Sequence, residues 1–168
     1  NYGLALALAL SIFLAILPLV GAEKGNVKLM ALGRPLTWAM FLALSLSFGS
    51  LFYLFAVNDF SVQYVVNNSN STLPLQYRLS AVWGSHEGSL LLWIWLLALW
   101  AVGVAIFTRK MPEEAVARVL SVMGLISIGF MVFFIFSSNT FNRPFRDFPA
   151  DGRELIPMLQ DVGLIFHP

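Results

Sequence analysis

Four long segments without a single ionisable side chain constrain this chain more than any other feature. They are residues 1–22, 35–58, 88–108 and 119–142, and Asp, Glu, Lys, Arg and His are absent from all of them. Roughly 20 apolar residues in a helix cross a bilayer core of about 30 Å. Because backbone groups in lipid must be satisfied within their own segment, helices are favoured. The sequence therefore predicts an all-α, polytopic integral membrane protein with four transmembrane helices.

The same segments set the predicted organisation. We expect a single membrane domain over 1–168, with spans at about 3–21, 36–57, 88–107 and 118–137, an outer loop at 58–87 and an outer tail at 138–168. Apolar character rises again over residues 163–168. Since a chain rarely stops at the threshold of an apolar run, we expect a fifth span to start there. We therefore expect the chain to be a fragment of a longer membrane protein.

Basic residues predict which loops face the cytoplasm. Loop 59–87 carries one basic residue, Arg78, although it is about twice as long as loop 21–34. The two shorter loops carry three basic residues each, which are Lys24, Lys28 and Arg34 in the first and Arg109, Lys110 and Arg118 in the second. We therefore expect both shorter loops inside, and the amino terminus, the second loop and the tail outside.

Several functional classes are excluded or disfavoured. Cysteine is absent, so this chain forms no disulfide, thiolate metal site or Cys-x-x-Cys-His haem attachment. The span interiors lack the charges that ion-coupled transporters place there. No basic patch is dense enough to follow a nucleic acid backbone, and no nucleotide, hydrolase or metalloprotease signature is present. The catalytic residues, if any, are unknown at this point.

The outer loop shows an alternating pattern. Phe60, Val62, Tyr64 and Val66 are separated by single residues, which favours a short strand or an extended surface segment. The stretch that follows, NNSNST at 67–72, is typical of turns. Loops of this length are often functional rather than simple connectors.

A His-Glu pair at the start of the third span is the first candidate site. Ser85 is a plausible N-cap, which places His86 and Glu87 in the first helical turn. The positive end of the helix dipole suits Glu87 and favours a neutral imidazole, which can ligate metal. By spacing, His86 shares one helical stripe with Trp93 and Trp100. A capping role, direct ligation, and contact with a partner or cofactor all remain open.

His167 is the second candidate. The following Pro168 would take the first position of a new helix, which makes His167 its N-cap at the outer boundary. A lone interfacial histidine usually has no special role, so ligation stays one alternative. Arg78 could pair with Glu87 or an anionic ligand. Other arginines could meet propionates or belong to a mixed solvated surface, and these are Arg143, Arg146 and Arg153.

Longer motifs resemble one known family. They are VNDFSVQYV at 57–65, NSNSTLPLQYR at 68–78, WGSHEGSLLLW at 83–93, ARVL at 117–120 and LQDVGLIFHP at 159–168. In this order they resemble the amino-terminal part of the CcmF family of cytochrome c maturation haem lyases. The similar NrfE branch, linked to nitrite-reductase maturation, shares much of the pattern, and the sequence does not separate the two.

The resemblance implies a multi-pass protein of the bacterial inner (cytoplasmic) membrane with periplasmic haem chemistry. Such proteins receive haem from the haem chaperone CcmE, work with a CcmH-type thiol partner, and join haem vinyl groups to the cysteines of apocytochrome c. They act as part of a complex. Because most of the haem site is expected downstream of this fragment, the fragment alone is expected to be inactive. Two alternatives are a haem transporter or exporter of the related WWD type without lyase activity, and a purely structural membrane subunit.

The resemblance also assigns residues. His167, in GLIFHP, corresponds to the first periplasmic histidine beside the tryptophan-rich WWD segment, and is implied to be an axial ligand of the haem iron. Val162 stands where many family members have proline. The WWD segment, the second periplasmic histidine and the transmembrane histidines that hold noncovalent haem b are not in this chain. Trp83, His86 and Glu87 receive no ligand role, and we expect them to form a pocket or partner surface.

Overall fold

The computed structural model describes residues 2–143 and 151–153. Seven helices follow one another, namely α1 (Tyr2–Lys24), α2 (Val27–Ala31), α3 (Gly33–Ala56), α4 (Gln63–Asn68), α5 (Leu75–Ser80), α6 (His86–Phe107) and α7 (Glu113–Ser137). The described part of the chain contains no strand. The all-α prediction is therefore confirmed.

Four helical segments are long and apolar enough to cross a membrane. They are Tyr2–Lys24, Val27–Ala56, His86–Phe107 and Glu113–Ser137, with mean hydropathies of 2.6, 1.9, 2.5 and 2.6. The shortest has 22 residues, which is about 33 Å of helix and sufficient for the bilayer core. The prediction of four transmembrane helices is confirmed. The expected fifth span lies outside the described residues, and the single-domain organisation stays a prediction.

The predicted strand in the outer loop is wrong. Val62 is extended, with φ −101° and ψ 123°, but α4 begins directly after it. The reason lies in the buried side chains. Val62, Val65 and Val66 are all buried, and their spacing of three and four residues is that of one helical face. The valines of this stretch therefore form the buried face of a short helix and not one side of a strand.

Contacts divide the chain into two compact units. The first contains Asn1–Ser47 and Trp93–Phe133, and thus both of the loops with three basic residues. Within it, Arg34 of α3 donates hydrogen bonds to the carbonyls of Ala105 and Thr108 at the end of α6. It also forms an ion pair of 3.2 Å with Glu113 of α7. The side chain of Arg34 therefore links loop 21–34 to loop 109–118.

The second unit contains Phe48–Leu92 and the described residues from Phe134 onward. Within it, Gln63 at the start of α4 donates its backbone N–H to the carbonyl of Asn142, at 3.0 Å. Arg143 forms an ion pair of 3.3 Å with Asp59. The outer loop and the beginning of the tail therefore pack together, as alternating spans require. The side of the membrane that each unit faces stays a prediction.

Candidate functional site

The predicted site lies where α6 begins, and Ser85 takes the predicted N-cap position. The carbonyl of Ser85 accepts the first helical hydrogen bond, from the N–H of Ser89 at 3.0 Å. The Ser85 hydroxyl lies 3.0 Å from Oε2 of Glu87 and 3.2 Å from the hydroxyl of Tyr64. Ser85 therefore holds the Glu87 carboxylate near the helix end, where the positive end of the helix dipole stabilises a negative charge.

Tyr64 of α4 reaches across the outer loop to this helix end. Its side chain is buried, and its hydroxyl donates to the carbonyl of Val82 at 3.1 Å. The backbone of Gly88 and of Ser85 also bonds to the hydroxyl. Burial raises the pKa of Tyr64 to about 12, and the negative charge of Glu87 acts in the same direction. The Tyr64 hydroxyl therefore stays protonated and able to donate at neutral pH.

Gly88 is required by this close approach. A Cβ at position 88 would overlap both the carbonyl oxygen of Val82 and the hydroxyl of Tyr64. Both obstructing groups belong to the hydrogen-bonded network, so neither moves without breaking it. The sequence Ser-His-Glu-Gly therefore has a structural requirement at its last residue.

The three predicted surface residues differ in burial. His86 is exposed, whereas Glu87 and Trp83 are half-buried. The Trp83 ring packs on Phe52, with ring centroids 5.7 Å apart, and Phe52 packs on Phe48 at 5.1 Å. The start of α6 therefore has an exposed imidazole at His86, and the residue three positions earlier, Trp83, belongs to a row of packed aromatic rings.

The tryptophans that share a stripe with His86 are also exposed. Trp93 is 63% exposed and Trp100 is 70% exposed. Their rings are therefore not used in the packing of the described chain, and lie available for lipid or for another polypeptide.

Arg78 does not pair with Glu87, the first of the two partners suggested by the sequence, and pairing with an anionic ligand stays a prediction. Its guanidinium donates to the carbonyl of Ala56, the last residue of α3, at 3.2 Å. Basic side chains near a helix end commonly satisfy the last carbonyls in this way. Among the described residues Glu87 forms no ion pair with Arg78, and the observed hydrogen bond of this arginine links the outer loop to the carboxyl-terminal end of α3.

The described part of the tail is fastened to the outer loop. Both carboxylate oxygens of Asp151 accept from Ser71, from the backbone N–H at 2.9 Å and from the hydroxyl at 2.6 Å. These bonds hold the pKa of Asp151 below its usual value. Two residues later, the N–H of Arg153 donates to the carbonyl of Val66 at 2.6 Å. Arg146 and His167 lie outside the described residues.

The described residues fit part of a haem surface and not a complete site. His86 is the one histidine among them, and it is exposed at the start of α6. No group of three or more His, Cys, Asp or Glu side chains that could hold a metal ion occurs in the described residues. Haem needs axial ligands and an apolar, aromatic environment, and this chain's described residues offer one imidazole and aromatic rings.

Sequence reasoning missed Tyr64 as a site residue because the alternating pattern placed it in a strand. A signal was present, since Tyr64 lies in VNDFSVQYV, one of the motifs that carry the family resemblance. A tyrosine inside such a motif is better explained by a specific hydroxyl contact than by apolar packing alone.

Comparison with known proteins places these features in one family. The family described as Cytochrome C assembly protein matches residues 83–168. The chain is 70% identical over 168 residues to the cytochrome c-type biogenesis protein CcmF of Haemophilus influenzae, covering 100% of this chain and 26% of that protein. Against CcmF of Escherichia coli the identity is 48% over 165 residues, covering 98% and 26%. Against NrfE of Haemophilus influenzae it is 50% over 165 residues, with the same coverage.

A solved structure gives the same result. The structure described as Cytochrome c Heme Lyase CcmF matches this fold with a TM-score of 0.80 and 28% sequence identity, covering 88% of this chain and 25% of that one. The chain thus spans about a quarter of the length of the curated relatives it matches. On the match to residues 83–168 and these likenesses, the chain belongs to the cytochrome c assembly protein family, as a member of its CcmF/NrfE type.

Proposed function

We propose that this chain forms part of a cytochrome c haem lyase, which attaches haem to apocytochrome c at the periplasmic face of the bacterial inner membrane. The observation that carries the proposal is the fold likeness to a solved cytochrome c haem lyase, with a TM-score of 0.80 over 88% of this chain. The four apolar helical segments fit a multi-pass membrane protein of that kind.

The orientation rests on charge. The unit with loops 21–34 and 109–118 contains six of the chain's ten basic residues. Basic loops favour the cytoplasmic side. The second unit, with the outer loop and the start of α6, then faces the periplasm, where His86 and Trp83 are open to partners.

The proposed chemistry is the addition of the cysteine thiols of apocytochrome c to the two vinyl groups of a substrate haem, while haem b is the proposed noncovalent cofactor. In each addition the sulfur bonds to one vinyl carbon and the thiol proton goes to the other. No acid or base for this step is assigned to this chain. Holding reacting groups in the right geometry can by itself account for a large rate enhancement, so positioning is the proposed contribution.

The proposed roles of the residues follow from these placements. His167 is the proposed axial ligand of the haem iron, from its position in GLIFHP. His86, Glu87 and Trp83 form a surface for haem or its protein partners, and the Tyr64 hydroxyl fixes the start of α6 beneath them. The proposed partners are the haem chaperone CcmE, a CcmH-type thiol protein and apocytochrome c.

The deciding experiment compares full-length wild-type protein with the variant His167→Ala. Optical spectra of the purified proteins report haem ligation, and the yield of holocytochrome c in cells reports the attachment step. We expect the variant to lose both, and His86→Ala, the matched control, to keep the axial-ligand spectrum. An unchanged spectrum and yield in His167→Ala would refute the ligand assignment. Haem loss from His167→Ala with normal cytochrome yield would favour transport over attachment.

A further inference from the structure

A polar cavity adjoins the start of α6 within the second unit. Its volume is about 420 Å³, within the range of roughly 300–1,000 Å³ that is typical of small-ligand pockets. Glu87 of α6, Gln63 and Asn67 of α4, and Asn139 and Asn142 after α7 contribute to its wall. Amide and carboxylate groups from three parts of the unit therefore meet around one space.

The charge of this cavity is negative. Glu87 is the one carboxylate among the described residues that line it, and none of these is Lys, Arg or His. Tyr64 also lines the cavity, and its raised pKa keeps it neutral. The end of α7 at Ser137 adds the negative end of a helix dipole to the same wall. Among the described lining residues, no cationic side chain therefore pairs with the Glu87 carboxylate.

One part of the wall is apolar. Ile135 and Phe136, in the last turn of α7, line the cavity beside the polar groups. A long basic side chain has the matching form, since its methylene stem packs on apolar surface while its charged head binds carboxylate and amide oxygens.

We propose that this cavity binds an ammonium or guanidinium group carried on a side chain of a polypeptide partner. The inference rests on the proposed function, in which this face receives protein partners, and it deepens that function by naming what Glu87 recognises. Glu87 forms the charge-assisted hydrogen bond to the cation. The amide side chains of Asn67 and Asn142 bond to the remaining N–H groups and to the partner's backbone.

An inorganic cation fits the cavity less well. Calcium sites take six to eight oxygen ligands, commonly with several carboxylates. Glu87 is the single carboxylate among the described lining residues, and the part of the chain that the structure describes holds no group of three potential metal ligands. The mixture of one charge, several amides and an apolar strip suits an organic cation better.

Three small probes test the assignment on the full-length protein in lipid nanodiscs, with ligand-observed NMR as the readout. They are N-acetyl-lysine amide, N-acetyl-norleucine amide, whose four-carbon side chain lacks the ammonium group, and n-butylammonium. We expect the lysine derivative to bind, the norleucine derivative to show no specific binding, and n-butylammonium to bind roughly tenfold more weakly because it lacks peptide groups. Equal binding of the two amides overturns the cation assignment. Equal binding of the lysine amide and n-butylammonium overturns the polypeptide source.

Variants tie the binding to this cavity. Glu87→Gln should weaken the lysine probe by roughly tenfold or more, whereas Glu23→Gln, which removes an exposed carboxylate paired with Arg118 in the other unit, should leave it unchanged. Asn67→Arg places a cation at the exposed rim and should abolish binding with Glu87 intact, while Asn67→Gln should preserve it. Wild-type affinity in both Glu87→Gln and Asn67→Arg overturns the proposal.

The haem spectrum of the same samples separates this inference from the proposed function. Loss of probe binding in Glu87→Gln with a normal haem spectrum supports a separate cation site on a haem protein. If wild-type protein shows the haem spectrum but binds no probe, the cavity assignment alone is overturned. If it binds the lysine probe without any haem signal, the proposed haem function fails while the cation site stands.

Discussion

The hydroxyl of Tyr64 in α4 donates a 3.1 Å hydrogen bond to the carbonyl of Val82, four residues before the α6 helix begins. This bond joins the outer loop to the approach of α6, and the same hydroxyl is contacted by Ser85. Because Ser85 also holds Glu87, the position of the carboxylate depends on a side chain from a different helix. The outer loop therefore acts as the support of the proposed partner surface.

Removal of the Tyr64 hydroxyl should destabilise the amino-terminal end of α6. Tyr64→Phe leaves the Val82 carbonyl and the neighbouring backbone groups without their partner in a buried place, which costs about 1–3 kcal/mol. Thermal unfolding of the purified full-length protein measures the effect. Tyr53→Phe is the matched control, because Tyr53 is 67% exposed, and it should unfold like wild type. Equal stability of the two variants would show that the Tyr64 hydroxyl contributes nothing.

A methyl group at position 88 should disturb the same network from the other side. Gly88→Ala forces the Cβ against Val82 and Tyr64, and overpacking of this kind costs about 1–3 kcal/mol. Gly103→Ala, in the same helix with nothing within 4 Å of its added Cβ, should be neutral or slightly stabilising. The comparison uses the unfolding temperature and the yield of folded protein, and equal results for the two would contradict the close approach at Gly88.

The dependence of stability on pH in the alkaline range offers a further test of the buried Tyr64 hydroxyl. Burial raises the pKa of Tyr64 from 10.0 to about 12. A raised folded-state pKa gives stability that is fully present below the unfolded pKa and is lost as pH rises through the folded one. Stability should therefore fall between about pH 10 and pH 12, and part of that fall should be missing in Tyr64→Phe. Ultraviolet titration of tyrosinate should show one tyrosine fewer in the latest phase of the variant.

In the first unit, Arg34 is expected to contribute more to stability than Arg118. Arg34 is 22% exposed, donates hydrogen bonds to two carbonyls at the carboxyl-terminal end of α6, and pairs with Glu113. Arg118 is 48% exposed and pairs with Glu23 and Glu114 at the surface, where ion pairs contribute about 0–1 kcal/mol. Arg34→Ala should therefore lower the unfolding temperature clearly more than Arg118→Ala, and the reverse order would remove Arg34 from its role.

Some of this fold follows from composition alone. A segment of about 20 apolar residues has few alternatives to a membrane-spanning helix, so residues 88–108 predicted α6 without knowledge of any contact. The outer loop is different. Phe60 to Val66 fits a strand by alternation and a helix by the spacing of its valines, and only packing decides between them.

The site residues show the same division. Glu87 at a helix start was predicted because capping is a local property. The partners of Tyr64 and Arg78 could not be predicted, since they lie 18 and 22 residues away along the chain. For Arg78 the sequence left open Glu87 or an anionic ligand, and the carbonyl at the end of α3, which accepts its hydrogen bond, was not among these alternatives.

The orientation in the membrane is tested by cysteine labelling. Because this chain contains no cysteine, its own residues give no background labelling. Gln76 of α5 and Lys110 after α6 are both exposed, and they belong to different units. A membrane-impermeant maleimide applied to spheroplasts should label Gln76→Cys and spare Lys110→Cys, because basic loops are retained in the cytoplasm. Permeabilisation should expose both, which controls for reactivity. Labelling of Lys110→Cys alone would reverse the topology and place the Glu87 cavity on the cytoplasmic side, away from any periplasmic partner.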